Sequence, residues 1–166
     1  MPLTIATTHP DESLRNALAA VLGDATEAAW LIARGGVWVN GVRRRDPDMR
    51  LPADATIVVQ RPPDGGYREP IVTPEMILYE DDDLIALDKP IDAYVEATPW
   101  DAEGHLRAAL ARFLEARDGS APPLHLAHRL DRDTSGVLLL SKTPDVNAAL
   151  QRIFQEGIAH KTYLAL

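Results

Sequence analysis

The hydrophobic positions change period several times along the chain, and each change marks an element. Between residues 11 and 35, Leu14, Leu18, Val21 and Leu22 recur at helical spacing, and Gly23 can end that helix. A second short helix follows, with Thr26 as its expected cap and Ala29, Trp30, Leu31 and Ala33 on its apolar face. The period then drops to two. Val37 and Val39 alternate as on a half-buried strand, and Asn40-Gly41 is a strong hairpin signal. Arg43, Arg44 and Arg45 come next, then a loop with two prolines, then the strand-like "ATIVVQ" from Ala55 to Gln60. Residues 61–74, "RPPDGGYREPIVTP", show no period and read as a linker. The pattern thus predicts a module over residues 1–60, a linker over 61–74 and a second part over 75–166.

In that second part, "MILYEDDDLIALDKP" predicts two strands joined by the acidic turn Asp81-Asp82-Asp83. Residues 103–117 place Leu106, Leu110, Phe113 and Leu114 on one helical face, and "DGSAPP" breaks the helix. The continuous apolar run 136–141 predicts a buried strand. Thr143 can cap the next helix, with Pro144 at its first position and Asp145 in its first turn. Val146, Leu150, Ile153 and Phe154 form that helix's expected buried face, and Gly157 its end. "AHKTYLAL" predicts one more strand, which would leave a sheet edge and an apolar face exposed.

Composition narrows the class. The chain has 166 residues, 46% hydrophobic and 25% charged, as expected of soluble globular structure. Without cysteine there is no disulfide framework and no thiolate metal site, which fits a reducing, cytoplasmic setting. No apolar stretch is long enough to span a membrane, and "MPLTIATTHPDE" lacks a secretory pattern. The net charge of −8 at first argues against a nucleic-acid partner. Its distribution removes that objection. Residues 75–121 hold 4 basic and 12 acidic side chains, whereas residues 1–74 hold 8 and 9, and residues 122–166 hold 5 and 4. Phosphate binding depends on the local surface.

Most of the candidate chemistry lies in "HRLDRDTSG", residues 128–136. His125, His128 and Asp131 are three apart and would share a face on a helix, but Pro122 and Pro123 upstream and the strand downstream oppose a helix. His9, His105 and His160 have no motif around them. Ser135 lacks the glycine-flanked elbow of a nucleophilic serine, because Thr134 precedes it. Asp133, Thr134 and Ser135 are suited to local turn bonds. Asp131 differs, because Arg129 and Arg132 flank it and either can hold it ionised. Such a carboxylate can act as a nucleophile or stabilise an oxocarbenium-like centre. No second carboxylate has an evident partner role, which argues against simple hydrolysis. In the first module, Arg43, Arg44 and Arg45 can grip phosphates or stack on bases, while Asp46 and Asp48 favour a plain solvated charge run.

Two resemblances give these residues a task. "LIARGGVWVNGVRRR" resembles the core of the S-four-like RNA-binding domain, a small αL-type module, over residues 11–60. "HRLDRDTSGVLLLSKT" resembles the signature of the RluA-like pseudouridine synthases, supported by "YEDDDLIALDKP" before it and "KTYLAL" after it. The fold implied is α+β: a small αL-type RNA-binding module, then a mixed, mostly antiparallel sheet with helices, as part of a pseudouridine synthase domain. The activity implied is isomerisation of uridine to pseudouridine in RNA, without cofactor or metal. Ribosomal RNA is expected before transfer RNA.

The resemblance makes Asp131 the essential carboxylate. Arg129 would help displace the target nucleotide, and Tyr163 would stack on the flipped base. Arg132 joins Arg43, Arg44 and Arg45 as an expected RNA contact. His128, Thr134, Ser135 and Gly136 would support the loop. Asp92 stands in "KPIDAYV" where the family usually has glycine. Only about the first half of such a catalytic domain is matched. The rival expectation is therefore an RNA-binding protein, or a fragment, that lacks catalysis.

Overall fold

The computed structural model describes residues 2–6 and 11–165, so His9 lies outside the described residues. Two compact units form: Met1–Glu69 with Ala97–Gly104, and Pro70–Glu96 with His105–Leu166. The boundary between Glu69 and Pro70 falls inside the aperiodic stretch 61–74. No local period announces the return of Ala97–Gly104 to the first unit.

The first unit opens with β1 (Leu3–Ala6), which the hydrophobic pattern did not single out. Its side chains are mostly exposed, so its apolar signal is weak. Backbone pairing with β4 holds it. Helix α1 (Leu14–Leu22) starts at Ser13, whose hydroxyl accepts from Asn16 N at 3.2 Å, and ends at Gly23 in a left-handed turn. A cap of this kind contributes about 1 kcal/mol.

Helix α2 (Ala25–Arg34) begins earlier than Thr26 would allow. Asp24 is its cap, accepting from Thr26 N at 2.7 Å and Glu27 N at 3.2 Å. An extended aspartate reaches two amides and sets negative charge at the helix start, so it displaces Thr26 from the role. The buried face shifts with it. Ala28, Leu31 and Ile32 are buried, whereas Trp30 is 44% exposed.

Strands β2 (Val37–Val39) and β3 (Val42–Arg43) form the expected hairpin. Asn40 and Gly41 both take positive φ, 50° and 76°, as a two-residue hairpin turn requires. Strand β4 (Thr56–Val59) inserts between β1 and β2, giving an antiparallel sheet in the order β1-β4-β2-β3. Val37, Val39, Ile57 and Val59 join Leu14, Leu18, Leu31 and Ile32 in one core.

The second unit is a sheet of β5 (Ile77–Glu80), β6 (Leu84–Lys89), β7 (His125–Leu126) and β8 (Gly136–Ser141). Its order is β5-β6-β8-β7 and every ladder is antiparallel. Asp81 builds the first turn, its Oδ1 accepting from Asp83 N and Leu84 N at 2.8 and 2.7 Å. Helix α3 (Leu106–Asp118) covers one face, packing Leu106, Leu110 and Leu114 with Ile85, Leu87, Leu138 and Leu140. Helix α4 (Pro144–Gln155) is capped by Thr143 as expected, through a bond from Val146 N at 3.4 Å.

Three expectations fail in this unit. The apolar face of α4 is not fully buried at any residue, and Ile153 is 37% exposed. Strand β8 buries one face, with Leu138 and Leu140 in the core, but leaves Val137 54% exposed. A run of consecutive apolar residues cannot distinguish one covered face from two. Finally, the expected strand over residues 159–166 does not form in its described part, 159–165. Strand β8 pairs with β6 along its whole length and with β7 only at Leu140 and Ser141, and residues 159–165 take up neither remaining edge of the sheet.

Candidate active site

The loop 128–136 enters the sheet at Gly136, which pairs with Lys89 at the end of the β6–β8 ladder. His128 anchors its start. The ring Nε2 accepts a bond from Leu139 N at 3.1 Å, and the imidazole packs on Phe154 with centroids 4.6 Å apart. Burial lowers its pKa below the usual histidine range. An accepting Nε2 means a neutral ring with its proton on Nδ1.

Asp131 opens a tight turn, in which its carbonyl accepts from Thr134 N at 3.1 Å. Its side chain is exposed, at the turn's outer face. Neither flanking arginine pairs with it. Arg132 binds Asp133 through two bonds, at 2.9 and 3.1 Å, and lies 3.6 Å from Asp92. Arg129 reaches Glu96 at 3.5 Å, with 74% of its own side chain exposed. Consecutive turn residues splay outward, so neighbours in sequence need not face each other. The expected grip of two arginines on Asp131 is absent for that reason.

The residue that organises the loop is Lys89, which sequence reasoning passed over. It is fully buried, and its Nζ donates to three carbonyls: Thr134 O at 2.8 Å, Arg132 O at 2.9 Å and Pro90 O at 2.9 Å. One ammonium thus uses all three of its protons on the backbone around the turn. Burial lowers its pKa, while Asp133, Asp131 and Asp92 oppose that shift. A signal was available. Ile85, Leu87 and Lys89 alternate on one side of β6, so the period of two places the lysine inward.

Asp92 also finds its explanation here. It holds φ at 58°, a left-handed conformation that glycine adopts freely and aspartate tolerates. The backbone bend survives without glycine, and a carboxylate is added beside Arg132. Ala93 N closes the contact by donating to Arg132 O at 3.3 Å.

Tyr163 is 62% exposed and lines a cavity of about 360 Å³ with His128, Ser135, Gly136, Phe154 and Lys161. Asp131 does not line that cavity. Lys161 Nζ sits 4.8 Å from the centre of the Phe154 ring. The structure therefore brings Tyr163 together with the loop's supporting residues. Among the described residues, no group of three histidine or acidic side chains is placed to hold a metal, and no helix is long and apolar enough to cross a membrane.

In the first unit two of the three arginines, Arg43 and Arg45, already engage the unit through their guanidinium groups. Arg43 stacks over Trp38 at 4.8 Å and donates to Thr98 O. Arg45 donates to Ala33 O at 3.0 Å and pairs with Glu103 at 2.7 Å. The Arg44 backbone N donates to Val37 O at 2.9 Å, which extends the hairpin.

Residues 83–166 match the RNA pseudouridylate synthase family, and the chain belongs to that family. An uncharacterized RNA pseudouridine synthase of Aquifex aeolicus (strain VF5) is 31% identical over 139 residues, which cover 82% of this chain and 44% of that protein. RNA pseudouridine synthase 1 of Arabidopsis thaliana is 42% identical over 95 residues, 57% of this chain and 26% of its own length. Ribosomal large subunit pseudouridine synthase C of Escherichia coli (strain K12) is 33% identical over 145 residues, with 82% and 44% covered. The chain thus spans less than half the length of these relatives. A solved structure of human RNA pseudouridylate synthase domain containing 4 is 30% identical, with a TM-score of 0.42, over 49% of this chain and 30% of that one.

Proposed function

We propose that the protein isomerises particular uridines in RNA to pseudouridine, with Asp131 as the essential carboxylate. The observation that carries this is the family match across residues 83–166, which spans the whole Asp131 loop. Supporting it, the carboxylate is exposed on a turn whose backbone a buried ammonium holds at three points. Such a group is both accessible to a substrate and fixed in place. The reaction breaks the bond between the ribose C1′ and N1 of uracil, forms one from C1′ to C5, and exchanges the proton on C5 for one on N1. It needs no added water and no redox partner. Asp131 either attacks the sugar or promotes a glycal intermediate.

In this reading Arg129, extended and largely exposed, fills the space left by the flipped nucleotide. Flipping costs a few kcal/mol, which contacts with RNA must offset. Tyr163 stacks on the extruded base. Residues 11–60 act as an S-four-like RNA-binding module, a reading supported by the order of two helices followed by the Asn40–Gly41 hairpin. Ribosomal RNA is the favoured substrate, because several relatives are named as ribosomal large subunit pseudouridine synthases.

The test is pseudouridine formation in ribosomal RNA incubated with the full-length protein and its Asp131→Asn variant. Loss of product in the variant is expected, and retained product would refute the role of Asp131. A second reading is favoured by one observation, that the cavity Tyr163 lines with His128 and Phe154 does not have Asp131 in its wall. The 166-residue chain would then bind RNA without isomerising it. Running a filter-binding assay beside the isomerisation assay on this chain separates the two.

A further inference from the structure

The first unit closes an acidic segment of its own over part of its basic face. Ala97–Gly104 carries Asp101 and Glu103, and both pair with arginines of that unit. Arg34 Nη2 meets Asp101 Oδ2 at 2.9 Å, with the two side chains 13% and 4% exposed. Arg45 Nη2 meets Glu103 Oε1 at 2.7 Å nearer the surface. Three more contacts fasten the segment: Arg43 to Thr98 O, Trp38 Nε1 to Pro99 O at 2.8 Å, and Ala102 N to Arg34 O at 2.8 Å.

The fit does not rest on charge alone. A Cβ on Gly36 would stand 2.9 Å from Gln60 O and 3.0 Å from Trp100 O. One on Gly35 would stand 2.8 Å from Ala102 Cβ. The glycine pair between α2 and β2 is therefore needed where the segment passes, and the end of α2 is shaped to receive it.

We propose that Ala97–Gly104 is an internal competitor for RNA, its carboxylates taking the places of phosphates on Arg34 and Arg45 so that segment and RNA exclude each other on this face. The proposal rests on the RNA-binding reading of the first unit. A guanidinium presents the same fork of donors to carboxylate and to phosphate, so a single arginine cannot serve both in full. Asp101, almost wholly buried, anchors the segment. Glu103 lies at the rim, where an incoming backbone would displace it first.

The experiment measures equilibrium binding of a uridine-rich single-stranded RNA oligonucleotide to the full chain, at several salt concentrations. Glu103→Gln is compared with Asp54→Asn, which removes one exposed charge elsewhere in the same unit. Asp54 forms no ion pair among the described residues, and asparagine tolerates its positive φ of 55°. The Glu103→Gln variant is expected to bind about threefold tighter than Asp54→Asn, in line with losing one exposed ion pair. Its salt slope should be steeper by about 0.7, the value of one further phosphate contact to a single strand. Hydrogen exchange supplies a second readout, in which RNA should lower the protection of the Ala102 and Gly104 amides. Equal affinities of the two variants, with those amides still protected when RNA is bound, would overturn the competition and leave RNA binding intact. Absence of RNA binding by wild type and Glu103→Gln, even at low salt, would overturn the RNA-binding reading and the competition together.

Discussion

The best-buried cations of the two units, Arg34 and Lys89, are used differently. In the first, Arg34, Arg43 and Arg45 turn inward on the unit's own Ala97–Gly104 segment, through carboxylates, carbonyls and an aromatic ring. In the second, one buried lysine holds the backbone of a turn and leaves Asp131 and Arg129 facing solvent. Runs of charge that look alike in sequence thus do different work. Where guanidiniums clamp side chains, the basic surface is consumed. Where an ammonium clamps carbonyls, the acidic side chain beside it stays exposed.

The sharpest way to break this comparison is to remove the lysine. Lys89→Met should cost about 3 kcal/mol, because carbonyls around the turn lose their donor inside the protein. Chemical denaturation measures it. A loss under 1 kcal/mol would mean that the turn holds itself and Lys89 is incidental. The arginine side of the comparison predicts a graded response. Arg34→Met should cost about 2 kcal/mol, since it leaves Asp101 buried without its partner. Arg45→Ala should cost about 0.5 kcal/mol, because its pair with Glu103 is exposed. Equal losses at the two sites would show that burial does not separate them.

The shallowest effect is a pH dependence confined to the second unit. The folded pKa of His128 lies below its ordinary 6.5, chiefly through burial. The unfolded chain therefore takes up the proton more readily. The stabilisation from the neutral ring is complete above about pH 6.5 and is lost as pH falls through the folded pKa. Denaturation at pH 7.5 and 5.5 should show the loss in wild type and a smaller one in His128→Gln. Glutamine keeps an acceptor for Leu139 N and does not titrate. A change of the same size in both proteins would place the titration elsewhere.

Much of this was legible along the chain. The two N-terminal helices, the Asn40–Gly41 hairpin, the Asp81 turn, helix α3 and the Thr143 cap all follow from local spacing and local polar chemistry. Asp24 replaced Thr26 as a cap because both residues satisfy the local rule, and Asp24 reaches two amides at the helix start. Strand β1 escaped notice because an edge strand with exposed side chains has no apolar period to read. Residues 159–165 carry a strand-like composition, yet a strand needs a partner, and these residues pair with none of the sheet's strands. Composition records what a segment can do and says nothing about which edges are free.

The site divides in the same way. The stretch 128–136 named Asp131 and Arg129 without any coordinates, because the family signature is contiguous. Either flanking arginine could hold Asp131 ionised, but in the structure they face Glu96 and Asp133, since adjacency in a turn does not bring side chains together. Lys89 acts 43 and 45 residues away from the carbonyls it binds, a separation no local pattern spans. The glycines at 35 and 36 are equally opaque until Ala97–Gly104 is seen passing over them.

By itself, then, the sequence determined most of the helices, the Asn40–Gly41 and Asp81 turns, the Thr143 cap and the family signature of the loop, because each depends on residues within a few positions of one another. Only the tertiary structure decided which charges are spent and which remain exposed. That outcome depends on distant segments meeting at hydrogen-bond range, where burial turns one lysine into a clamp and one acidic segment into a cover.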